Sequence, residues 1–218
     1  MMIMRALSDP GFFVALVTTL IVGLTVHEYA HAWTAYKLGD SLAASQGRLT
    51  LDPRKHIDPF GALVFLMVGF GWAKPVPIDA WRLDRREILL VALAGPVSNI
   101  LLATASGLLL RFGVGIELVP RSALIFLVWF TALNLLLAMF NMIPVAPLDG
   151  WKVLLGLVPP DWVFKLRQVE RYAPMILLAL IFAPDFLNLP FDPIWDLIRP
   201  PIRGLWWLLV GPGLQSPL

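Results

Sequence analysis

His27-Glu28-Tyr29-Ala30-His31 sets two imidazoles four residues apart, with a carboxylate beside the first. On a helix, residues four apart share one face, so both rings can reach a single metal ion. Glu28 then lies beside them, able to take a proton from a water activated there. The ordinary alternative is a set of hydrogen-bonded polar residues tolerated near a helix end. Against it, the sixteen residues Gly11 to Val26 are mostly apolar and rise about 24 Å, which keeps His27 inside a hydrocarbon core of about 30 Å. Three ionisable groups at that depth are costly unless a metal or a water-filled cavity stabilises them.

A catalytic zinc site normally has three protein ligands and one open position. The chain contains no cysteine, so the third ligand must be His, Asp or Glu. His56, the only other histidine, stands in Arg54-Lys55-His56-Ile57-Asp58. Two adjacent cations disfavour another positive charge there, and His56 reads as an ordinary interfacial histidine. The better candidate is Asp149, in Asn141-Met-Ile-Pro144-Val-Ala-Pro147-Leu-Asp149-Gly150. Two prolines cannot continue a helix, so the chain should leave its helical path and turn inward there, with Gly150 permitting close backbone approach. Alone, this stretch would be a helix terminator with a turn Asp. Beside the paired histidines, Asp149 becomes the candidate third ligand.

The elements that must position these groups follow from composition. Of 218 residues, 58% are hydrophobic and only 15% charged, and the mean hydropathy is +0.76. That leaves too little polar surface for a globule in water. Seventeen basic residues against fifteen acidic ones do not amount to a nucleic-acid footprint. Three runs read as membrane-spanning helices: about Gly11 to Tyr36, Ile88 to Leu110 and Ser122 to Ile143, each near the roughly 20 residues that a crossing needs. Ala173 to Leu189 reads as a further span, and Pro193 to Val210, with its charges and tryptophans, as an interfacial or kinked helix. Phe60 to Trp72 spans 13 residues with three glycines inside, a length typical of re-entrant segments. Its flanks, Gln46 to Leu51 and Lys74 to Asp79, alternate like short strands. The predicted fold is thus mostly α, a polytopic membrane bundle with a short β or re-entrant element after the first helix. The N-terminal apolar run is read as an uncleaved anchor, because its helical pattern continues past the signal-like Ala30-His31-Ala32.

If the three spans alternate in direction and Phe60 to Trp72 does not cross, the C-terminal ends of the first and third face the same side. That brings Asp149 to His27 and His31. Eight Lys/Arg between Lys37 and Arg86 and four from Lys152 to Arg171 oppose Arg5, Arg111 and Arg121. By the positive-inside rule, the metal end faces the cytoplasm of a cell membrane.

HEYAH in a first membrane helix, then QGRLTLDPRKHIDPFG, GWAKPVPID, AGPVSN (Ala94 to Asn99) and FNMIPVAPLDG (Phe140 to Gly150) together resemble the compact site-2 protease family of intramembrane zinc metalloproteases. The likeness covers roughly residues 11 to 155. It divides the chain into a protease core, 1–155, and accessory C-terminal helices, 156–218. The resemblance implies one zinc ion held by His27, His31 and Asp149, with Glu28 as catalytic base. Where the family often has proline, this chain has Ala146.

The implied activity is hydrolysis of peptide bonds in transmembrane substrates near the cytoplasmic face. Zinc would activate water and polarise the scissile carbonyl, and Glu28 would carry the proton to the leaving amine. A helical substrate must first unwind, and the two strand candidates would hold it extended by strand addition. Asn99 and Asn141 could orient substrate or stabilise an oxyanion, or simply join helices; Gly95 and Pro96 mark close packing or a kink. Two rival readings are a zinc-containing scaffold or chaperone, for which Glu28 would be dispensable, and a metal transporter, whose spans would need more polar lining. With no appended domain expected, gating would fall to partners or to trimming of the substrate beforehand.

Overall fold

The computed structural model describes residues 8–68, 71–79, 81–113 and 120–218. Three helices carry the architecture: α1 (Pro10–Lys37), α5 (Arg85–Gly113) and α6 (Arg121–Asn141), each long and apolar enough to cross a membrane. Their bounds agree with the sequence expectation to within three residues at every end. Asp9 starts α1 by accepting the Phe12 N–H at 3.0 Å, with Pro10 in the first turn, where its missing donor costs nothing. A π turn at Thr19–Gly23 interrupts α1 just before the HEYAH motif. Asp84 and Glu87 cap α5 reciprocally, Asp84 Oδ1 accepting from Glu87 N at 2.8 Å and Glu87 Oε2 from Asp84 N at 2.7 Å. Helix α5 packs against both α1 and α6.

Between α1 and α5 lie three short helices, α2 (Leu42–Ser45), α3 (Pro53–His56) and α4 (Pro59–Val68). The predicted 13-residue run does fold back on itself. Ile57 and Ala73 pair as a single antiparallel bridge, and the Gly61 backbone lies directly against Trp72, too close for any side chain at 61. Both ends of the run therefore sit together.

The predicted short strands do not form. Among the described residues the Ile57–Ala73 bridge is the sole β pairing. Gln46 instead ends α2, and Gly47 turns the chain with φ +66°. Residues 74–79 form no strand, since Pro75 and Pro77 remove donors. Their anchors are isolated: Lys74 N donates to His56 O at 2.7 Å and Asp79 N to Asp40 Oδ2 at 2.8 Å.

After α6 come α7 (Asp149–Leu157), α8 (Pro160–Glu170), α9 (Ala173–Phe186) and α10 (Pro193–Val210). Read as a further span, α9 proves to be 14 residues long, about 21 Å and short of a crossing. It stops where Asn188 takes φ +50°. Helix α10 runs through Pro200 and Pro201, and buries Ile194, Ile198, Ile202, Trp206 and Leu209 on one stripe. That stripe packs against α5 and α6 and shares their apolar core.

Candidate metal centre

The centre is built where α1, α5 and the start of α7 converge. His27 and His31 lie one turn apart on α1, and both are buried. Asp149 arrives by a different route. Helix α6 ends at Asn141, and a tight turn through Pro144 and Pro147 reverses the chain, so that Asp149 opens α7. Position 150 must be glycine, since a Cβ there would run into the backbone of Met142 and Ile143. An anion in the first turn of a helix is also favoured by the helix dipole.

Three ligand atoms meet. Asp149 Oδ2 lies 3.0 Å from His27 Nε2 and 3.1 Å from His31 Nε2, and the two Nε2 atoms are 3.1 Å apart. The far side of each ring decides what these contacts mean. His31 Nδ1 is 2.6 Å from the Val91 carbonyl, and His27 Nδ1 is 2.6 Å from Asn99 Oδ1. Both partners can only accept, so each Nδ1 carries a proton, and in the neutral ring Nε2 is the atom left to present a lone pair inward. Two Nε2 atoms and a carboxylate oxygen thus converge on one point, an arrangement that a metal cation would satisfy. The spacing suits one: ligands about 2.05 Å from a tetrahedral zinc are separated by about 3.3 Å. Among the described residues, His27, His31 and Asp149 form the one cluster of three such groups able to hold a metal.

Helix α5 supplies the cradle. A Cβ at Gly95 would collide with the Nε2 atoms of both histidines, so only glycine lets the α5 backbone come this close to the inward-facing edges of the rings. Glu28 is buried beside them. It borders, with the three ligand residues, a cavity of about 490 Å³. The remaining wall is largely apolar and includes Leu24, Phe65, Leu133 and Phe140. Lys152 also reaches this cavity, with Nζ 3.9 Å from Asp149 Oδ1.

Asn99 does not face the cavity, as a substrate or oxyanion role would require. It is fully buried, and its amide is consumed by His27 Nδ1, Gly23 O and Asn134 Oδ1. Asn141 does border the cavity, its Nδ2 donating to Leu137 O at 2.9 Å. His56 stands apart from the cluster. It is fully buried within the protein, its Nε2 donating to Thr50 O at 2.7 Å. Sequence reasoning missed Val91, Asn134 and the cradle role of Gly95. An asparagine in the middle of an apolar helix was the available signal for Asn134.

No family model matches the chain, and no solved structure does. Curated relatives do match. One is "Putative zinc metalloprotease YwhC" of Bacillus subtilis, 44% identical over 177 residues that cover 78% of this chain and 80% of the relative. The chain belongs to the site-2 protease family of zinc metalloproteases. "Putative zinc metalloprotease Rip2" of Mycobacterium tuberculosis is 31% identical over 202 residues, covering 88% of this chain and 76% of the relative. Zinc is accordingly the cofactor of this site-2 protease relative, and the donor set on α1 and α7 fits it. Two imidazoles and one carboxylate match the three-ligand donor set typical of a catalytic zinc site.

Proposed function

We propose that this zinc protease is an intramembrane endopeptidase, hydrolysing peptide bonds in transmembrane segments of other proteins near the cytoplasmic face of the cell membrane. The observation that carries this reading is the position of the ligands. His27 and His31 lie within α1, a helix long and apolar enough to span, and open onto a cavity with a mostly apolar wall. A soluble peptide would gain little from such walls, whereas an apolar substrate segment would be held by them.

His27, His31 and Asp149 would hold the zinc, which when bound supplies Lewis acidity and a water acidic enough to attack at neutral pH. Glu28 accepts the water proton as the oxygen–carbon bond forms, then delivers it to the amide nitrogen as the carbon–nitrogen bond breaks. Gly71 to Ala73, Pro75, Val76 and Ile78 border the cavity where an unwound substrate would pass, and Asn141 stands at the same wall as a substrate contact. The return of the chain at Ile57–Ala73 supports α1 and α6 ending on one side. The twelve Lys/Arg of residues 37–86 and 152–171, eight and four, support that side being cytoplasmic. Residues 1–155 then form the protease core and 156–218 its accessory helices.

The test is cleavage of a transmembrane peptide reconstituted with the purified protein. The wild type is expected to cut within the apolar segment, and Glu28→Gln to keep zinc yet lose at least about 100-fold in rate. Near-normal cleavage by Glu28→Gln would remove Glu28 as base, and cleavage confined to soluble peptides would overturn the intramembrane reading.

A further inference from the structure

Behind His27 runs a chain of amides that the zinc chemistry does not use directly. Asn134, in the middle of α6 and fully buried, donates from Nδ2 to Phe130 O at 2.8 Å. A backbone carbonyl cannot donate, so this bond fixes which way the amide faces and turns Oδ1 toward α5. Asn99 Nδ2 donates to that Oδ1 at 3.0 Å and to the carbonyl of Gly23 at 3.1 Å. With both of its N–H groups engaged, Asn99 must present Oδ1 to His27 Nδ1, 2.6 Å away. Two main-chain carbonyls, one on α6 and one on α1, thereby dictate the orientation of both side-chain amides.

We propose that Asn134 and Asn99 are positioning residues that lock His27 into the tautomer protonated on Nδ1, keeping the Nε2 lone pair directed at the zinc position before metal arrives. The inference rests on His27 being a zinc ligand, but it does not depend on what the enzyme cleaves. Were Asn99 to turn over, its N–H would face Nδ1, the ring proton would move to Nε2, and His27 would present a donor where a ligand is needed. Asn134 blocks that turn by holding one Asn99 hydrogen, and Gly23 O by holding the other. Outer-shell partners of metal-bound histidines commonly act through this constraint. Here it spans three helices, so the packing of α1, α5 and α6 and the readiness of the site are one event.

The same two helices offer an internal control. Ser106 on α5 and Thr131 on α6 share a buried hydrogen bond of 2.7 Å that reaches no ligand. If Asn134 only glued α5 to α6, losing either bond would have the same effect on zinc.

Zinc affinity is measured by competition with a chromophoric chelator for Asn99→Leu, Asn99→Asp, Asn134→Leu and Thr131→Val, with thermal unfolding of each metal-free variant alongside. Asn99→Leu is expected to weaken zinc by about 10–100-fold and Asn134→Leu by about 10-fold. Thr131→Val should leave affinity within about 2-fold, and Asn99→Asp, which keeps an acceptor opposite Nδ1, should recover much of the loss. Nitrogen-15 spectra of the metal-free wild type, with only three histidines to assign and at a pH where the ring is neutral, should show His27 protonated at Nδ1 and bare at Nε2. A neutral His27 that carries its proton on Nε2 in the wild type, or equal zinc affinities for Asn134→Leu and Thr131→Val, would overturn the proposal. Intact zinc binding by a His27→Ala variant would instead refute the ligand assignment beneath it.

Discussion

Gly95 stands against His27 with no room for a side chain: a Cβ at position 95 would lie 2.5 Å from His27 Nε2. The α5 backbone is thus a wall of the metal centre, and its missing methyl group is as much a part of the site as the ligands themselves. Gly95→Ala should expel at least one imidazole and weaken zinc by more than about 100-fold. The bundle should survive, because overpacking by one methyl costs about 1–3 kcal/mol. Chelator competition and circular dichroism on the same sample separate the two effects.

Asp149 and His56 should divide cleanly. Asp149→Ala removes one of the three converging groups proposed to hold zinc, and zinc should be lost on gel filtration. His56→Ala should retain a full equivalent of zinc, while losing about 1–3 kcal/mol of stability through the broken bond to Thr50 O and the space left behind. Metal analysis of both variants checks the assignment, and zinc loss in His56→Ala alone would reverse it.

Stripping the metal should be felt by the fold as well as by activity. Two imidazole Nε2 atoms and a carboxylate oxygen lie 3.0–3.1 Å from one another, and zinc present at about 1,000 times its dissociation constant would stabilise the folded state by about 4 kcal/mol. Chelation is expected to lower the unfolding midpoint and abolish cleavage, with both restored by added zinc. Cobalt in its place should show the visible bands of a tetrahedral site.

Topology can be read with single cysteines in a chain that has none. Arg54→Cys and Lys165→Cys should both be protected from an impermeant thiol reagent applied outside intact cells, and both react once the membrane is opened. Labelling of both from outside would invert the orientation but spare the site. Labelling of only one would separate the faces that α1 and α6 must share.

The long apolar helices α1, α5 and α6 were legible in the sequence because an apolar run of the right length admits few other structures. The pairing of His27 with His31 was legible for a similar reason, since a four-residue spacing on a helix is a local geometric fact. The meeting of Asp149 with the two histidines was anticipated from the proline-bounded stretch that carries it, and the approach of Gly61 to Trp72 from the short, glycine-rich run between them. Each of these depends on neighbours along the chain or on counting. The strand pattern around residues 46–51 and 74–79 misled because alternation specifies a strand only when a partner edge exists, and Pro75 and Pro77 deny one.

The rest was decided in three dimensions. Position 95 as a cradle, Val91 O as the partner of His31, and the Asn134–Asn99–His27 chain all join residues 35 to 76 positions apart. Their meaning rests on which face of α5 turns toward α1 and which toward α6. That rotation is set by the packing of whole helices, and hydrogen-bond direction is defined only once donors and acceptors are brought within 3 Å. A sequence can specify which groups are available, but only the folded bundle determines which lone pair points at which atom.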